Sequence, residues 1–171
     1  MVHLKESVRG KHIYLVCSFG AKYKGLSVND LLMEIQLICN ALEESGVKKI
    51  MILNTSCGYS RQDRTKLGER KPLSSKVISN ILRLHYKVKG ILIVDIHCEQ
   101  IQNAYQRVYY ENLEVAPIFA KEMAEYIESN YEKDVKICVV SPDHGAAARN
   151  KIFITHLESY LDTKIHYSIM Y

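Results

Sequence analysis

Residues 91–97 read ILIVDIH, a run of Ile and Val around a single Leu that ends on an acid and an imidazole. An apolar run this short and this rich in β-branched side chains reads as a buried strand. The same signature recurs in HIYLVC (12–17), KIMILNT (49–55), KICVVS (136–141) and KIHYSI (164–169). Between these runs the spacing turns helical. In NDLLMEIQLICNALEESG (29–46), Leu31, Ile35, Ile38 and Leu42 share one stripe, with Asn29 placed to cap the start and Gly46 the end. SSKVISNILRLHY (74–86) aligns Val77, Ile78, Ile81 and Leu82. VAPIFAKEMAEYIESN (115–130) and AAARNKIFITHLESYL (146–161) complete the set.

The alternation β-α-β-α-β-α-β-α-β predicts an α/β fold of three layers: a mostly parallel sheet with helices on both faces and right-handed crossovers. The 171 residues suit one domain spanning 1–171. No disulfide or metal staple is needed at this size. A hydrophobic content of 47% with 25% charged residues excludes a disordered chain. No apolar run approaches the roughly 20 residues of a membrane span. The opening MVHLKESVRGKH lacks a signal-peptide core, which points to the cytoplasm. Five cysteines, an odd number with no C-x-x-C pair, read as free core thiols of a reducing compartment. The net charge of +4 favours an anionic ligand. It is well below that of a dedicated nucleic-acid binder, and no basic–aromatic interleaving suggests one.

In open α/β sheets, ligands bind at the carboxyl ends of the strands. SCGYSRQDR follows KIMILNT, DIHCEQIQ closes the run 91–94, and SPDHGAAAR closes KICVV. All three exits carry charged or metal-capable groups. Asp95 and His97 alternate with Ile96, so on a strand they share a face, able to hold a divalent cation or contact phosphates; a buried Asp–His hydrogen bond is the other reading. Asp143 stands at a strand–turn–helix junction, either at the mouth of an anion site or simply as a helix cap. Arg61, Arg64, Lys66, Arg70 and Lys71 crowd one loop around Asp63; they either meet phosphate oxygens or form a solvated surface. Together the three exits describe a magnesium–polyphosphate site. No GxxxxGK[ST] or GxGxxG occurs, so a Walker-type triphosphatase and a Rossmann dehydrogenase are unsupported.

ESVRGKHIYLV, NDLLMEIQLICNAL, YSRQDR, KPLSSKVISNIL, VDIHCEQIQ and VVSPDHGAAAR follow the order and spacing of ribose-phosphate pyrophosphokinases (phosphoribosyl pyrophosphate synthetases). The chain resembles that family from Glu6 to about Ile165. The resemblance implies a phosphoribosyltransferase-like fold and transfer of the terminal diphosphate of ATP to ribose 5-phosphate with Mg²⁺. It implies that Arg61, Gln62, Asp63 and Arg64 contact ATP or ADP. Asp95, His97 and Asp143 would face the magnesium, with His97 and Asp143 in the catalytic set. It also implies a homo-oligomer, or a hetero-oligomer with a full-length synthetase.

The departures carry expectations of their own. The chain reads as shortened to most of the family's N-terminal domain. It lacks a Lys-x-Arg flap and any DD-x-x-x-TGG loop for the ribose phosphate. Gly145-Ala146 replaces a Gly-Gly pair, Gln106 replaces an acid, and the next acid appears as Glu111. The resemblance therefore implies a partial Mg-ATP site that does not turn over in the isolated chain, with ribose 5-phosphate engaged only through a second domain or partner. The alternative it leaves open is a non-catalytic regulatory subunit that binds itself or a full-length synthetase.

Overall fold

The computed structural model describes residues 2–97, 99–105, 108–132 and 134–170, with Glu99 and Gln100 described in the backbone only. The chain divides into two compact units, Met1–Leu113 and Glu114–Tyr171.

The first unit holds β1 (His12–Cys17), α1 (Val28–Glu44), β2 (Lys49–Asn54), α2 (Ser74–Leu82), β3 (Val88–Val94), a 3-10 turn (Glu99–Tyr105) and β4 (Tyr109–Leu113). Its sheet runs β1-β2-β3-β4 with every neighbouring pair parallel. This is the α/β class with a parallel sheet that the alternating pattern predicts. Ile50, Ile52, Ile91 and Ile93 are buried and share one core with Leu31, Ile35 and Cys39 of α1 and Ile78 and Leu82 of α2. The ladder aligns Ile52 with Ile91, so β-branched side chains stack in rows across the middle strands.

Helix α1 starts earlier than Asn29. Ser27 is the cap, its hydroxyl accepting the Asp30 N–H while the Asp30 carboxylate accepts the Ser27 N–H at 2.8 Å, a reciprocal capping box. Gly46 takes φ +75 just past the helix, where a left-handed residue releases the chain toward β2. Helix α2 stops at Leu82, four residues short of the apolar stretch, and Val77 stays 49% exposed.

In the second unit β5 (Cys138–Ser141) pairs parallel with β6 (His166–Ile169) as a two-stranded sheet. Helices α3 (Ala116–Asn130) and α4 (Ala147–Leu161) accompany it. Ala120 and Ala124, one turn apart on α3, are buried with Leu157 and Ile165. No helix among the described residues is long and apolar enough to cross a membrane.

Candidate functional site

In the first unit the exits of β1 and β2 are packed hard against each other. The Phe19 N–H donates to the Ser56 carbonyl at 3.0 Å. A Cβ on Gly58 would stand 2.8 Å from the Phe19 carbonyl oxygen, and one on Gly20 would overlap the Ser56 side chain. Only glycine permits this approach of two backbones. The segment after β2 therefore leaves the sheet from a fixed point.

Beyond that point the segment splits into anchored and exposed residues. The Gln62 carbonyl accepts the Ser75 N–H at 3.1 Å, and its side-chain Oε1 accepts the Ser74 hydroxyl. Gln62 thus supplies acceptors at the start of α2, whose cap residue Leu73 has no side chain able to do so. Asp63 turns inward, its side chain only 4% exposed, with Arg64 Nε at 3.7 Å. It lines a cavity of about 340 Å³ with Ser75, Lys76, Arg83 and Asn103. Arg61 is exposed and the Arg64 side chain is 83% exposed. Of the four residues expected at a nucleotide, the two arginines face solvent, Gln62 is tied to α2 and Asp63 is enclosed.

The DIH segment differs from its expected strand geometry. Strand β3 ends at Val94, because Asp95 adopts φ +44, a left-handed conformation that leaves the ladder and that Asp tolerates. The Asp95 N–H still reaches the Leu113 carbonyl at 3.1 Å, and the Ile96 N–H donates to Asn112 Oδ1 at 2.9 Å. Ile96 is buried while Asp95 and His97 on either side are exposed. The pair emerges at the strand exit as the alternation suggests, but from a bend held by β4 rather than from a strand.

Asp143 belongs to the second unit. Its Oδ1 accepts the Ala146 N–H at 2.9 Å, capping a short 3-10 turn (His144–Ala146) that leads into α4. Its carbonyl accepts the buried Ser141 hydroxyl at 2.7 Å. This is the capping alternative open at that position, and Asp143 itself is exposed. Gln106 lies outside the described residues. Glu111 is exposed on β4, accepting the Tyr109 hydroxyl at 2.5 Å.

Among the described residues no group of three His, Cys, Asp or Glu side chains could hold a metal ion. A metal caged by protein ligands alone is not built among the described residues. Magnesium usually keeps several waters and takes one or two carboxylates with substrate phosphates. The exposed Asp95 beside His97 fits an ion that arrives with a polyphosphate.

Two features escaped the sequence pattern. β4 (YYENL) contains no apolar run, and it signals itself only by two adjacent tyrosines. The Cys57 thiol lies 4.0 Å from the Tyr105 hydroxyl, joining the segments that follow β2 and β3.

The comparisons with known proteins agree with one another. A family model described as the N-terminal domain of ribose phosphate pyrophosphokinase matches residues 1–85. Ribose-phosphate pyrophosphokinase 1 of Streptococcus pyogenes is 34% identical over 164 residues, covering 96% of this chain and 46% of that protein. Ribose-phosphate pyrophosphokinase of Agrobacterium fabrum is 32% identical over 160 residues, covering 94% of this chain and 47% of that one. The chain spans about half the length of the curated relatives it matches. The crystal structure of phosphoribosylpyrophosphate synthetase from Mycobacterium smegmatis shares the fold, with a TM-score of 0.71, 24% identity, and coverage of 99% of this chain and 51% of that one. The chain is thus similar to ribose-phosphate pyrophosphokinases over nearly its whole length, and residues 1–85 match the N-terminal domain of that family.

Proposed function

We propose that this chain binds a magnesium–nucleoside polyphosphate, ATP or ADP, as part of a ribose-phosphate pyrophosphokinase-like site. The family reaction is ATP plus ribose 5-phosphate to phosphoribosyl pyrophosphate plus AMP. The observation that carries the reading is the exposure pattern after adjacent parallel strands. Arg61 and Arg64 face solvent after β2, while Asp95 and His97 flank a buried Ile96 after β3. Arginine forks suit phosphate oxygens, and the Asp95 carboxylate suits an ion that travels with them. In this reading Gln62 and Asp63 shape the loop. The 171 residues act as one phosphoribosyltransferase-like domain of the cytoplasm. Isothermal titration of the folded chain with Mg-ATP and Mg-ADP tests the proposal. Heat that saturates at one nucleotide per chain is expected, and no heat at high protein concentration sinks it.

A second reading is a non-catalytic subunit that associates with itself or with a full-length synthetase. Gln106, standing where the family resemblance places an acid, favours it, because an amide brings no charge to a cation. Diphosphate transfer measured with and without a full-length synthetase separates the two. Robust turnover by the chain alone excludes the second reading.

A further inference from the structure

Asn54, the last residue of β2, is fully buried, and its Oδ1 accepts the Ser56 N–H at 3.3 Å. Its Nδ2 is buried with no hydrogen-bond partner among the described residues. Three residues on, the Cys57 sulfur lies 4.0 Å from the Tyr105 hydroxyl and 3.5 Å from the Gly58 carbonyl. Tyr105 cannot follow a moving loop. It is 2% exposed, and its ring stacks on Tyr110 with centroids 4.9 Å apart. The backbone beside Cys57 is equally constrained, since Gly58 abuts the Phe19 carbonyl. Burial raises the Cys57 thiol, and the Tyr105 hydroxyl beside it opposes part of that rise.

The sulfur is therefore clasped between two held elements at the point where the arginine-bearing segment departs. We propose that Cys57 is a positioning residue whose sulfur, held by Tyr105, couples the segment 55–64 to the turn 99–105 so that both keep one arrangement. The inference rests on the proposed nucleotide site, because these segments flank its residues. A core thiol that only fills space would leave each segment indifferent to the loss of the hydroxyl opposite it.

Amide hydrogen exchange followed by mass spectrometry on the full chain tests the coupling. Tyr105→Phe keeps the ring and its stacking and removes only the hydroxyl. Exchange is expected to quicken roughly threefold to fivefold in both segments, the loss of one modest hydrogen bond, with the unfolding midpoint unchanged. Iodoacetamide should label Cys57 faster in the same variant; the sulfur–carbon bond forms, iodide leaves and the thiol proton passes to solvent. Unchanged exchange in 55–64 overturns the inference. Should Tyr105→Phe lower the midpoint, Cys57→Ala decides: faster exchange in 99–105 supports coupling, and unchanged exchange there overturns it. Mg-ADP titration keeps the two ideas apart. If the wild type binds no nucleotide, the proposed function fails, while the exchange result still decides the coupling.

Discussion

Glu43 near the end of α1 places Oε2 3.0 Å from His85 Nδ1 and accepts the Lys87 N–H on Oε1 at 2.9 Å. Both side chains are only 11% exposed. One carboxylate thus secures the turn that delivers the chain into β3. Glu43→Gln keeps the size but removes the charge from both bonds, and it should lower stability by about 1–3 kcal/mol. Urea unfolding measures this. His85→Ala should lose little further in the Glu43→Gln background, so a double-mutant cycle that sums without coupling contradicts the pairing.

Gln36 in α1 is buried, and neither polar atom of its side chain has a partner among the described residues. An orphaned amide retains its desolvation penalty, and an apolar side chain of similar shape does not. Gln36→Leu should therefore raise stability by about 1 kcal/mol or more. A lowered melting temperature would show that the amide is satisfied in solution.

The capping box ties pH to the start of α1. Its two hydrogen bonds from Ser27 hold the Asp30 carboxyl below the usual carboxylate range. The native state thus binds that proton less readily than the unfolded chain, so the contribution is present above about pH 4 and fades as pH falls through the lowered value. Ser27→Ala should lose about 1 kcal/mol at pH 7. The deficit should shrink under acid, and an equal deficit at pH 7 and pH 3 would contradict the pairing with Asp30.

The thiols titrate in the opposite sense. Burial pushes Cys17 and Cys39 up to about 12, with neighbouring Cys39 and Cys57 adding to Cys17 and Glu43 adding to Cys39. Cys57 rises to about 11 through burial. Unfolded thiols lose their protons near pH 8.5 while the native ones keep theirs, so stability should fall as pH climbs from about 8.5 toward 11. Urea midpoints at pH 7.5 and 9.5 should differ in that direction. Peptide mapping after alkylation at pH 7.5 should show the exposed Cys138 labelled well before Cys17 and Cys39.

His97 is exposed beyond the end of β3, so His97→Ala should leave the unfolding free energy within about 0.5 kcal/mol of wild type. In the proposed site it should weaken Mg-nucleotide binding about tenfold, the loss of one charge-assisted contact. Unfolding of the variant would assign His97 a structural role instead.

The strand cores were readable because each is a short block of Ile, Val and Leu whose burial demands a sheet centre. HIYLVC matches β1 residue for residue, and KIMILNT misses β2 only at Thr55. The strand at 91–97 runs at 88–94 instead, since Val88 and Gly90 pair with β2 while Asp95 turns left-handed. β4 stayed hidden because its residues are strand-forming only once β3 offers them a ladder. The expectation of buried thiols held for Cys39 but not for Cys138, which is exposed on β5.

Apart from β4, the order of elements, the parallel sheet and the charged strand exits follow from local pattern, since burial and β-branching act within a few residues of chain. Which exit residues face solvent follows from contacts far apart in the chain. Gln62 is turned toward α2 by Ser74 and Ser75, Ile96 is held by Asn112, and Cys57 meets Tyr105 from 48 positions away. A side chain's orientation at a strand end depends on the partners waiting there, and only the folded sheet brings those partners together.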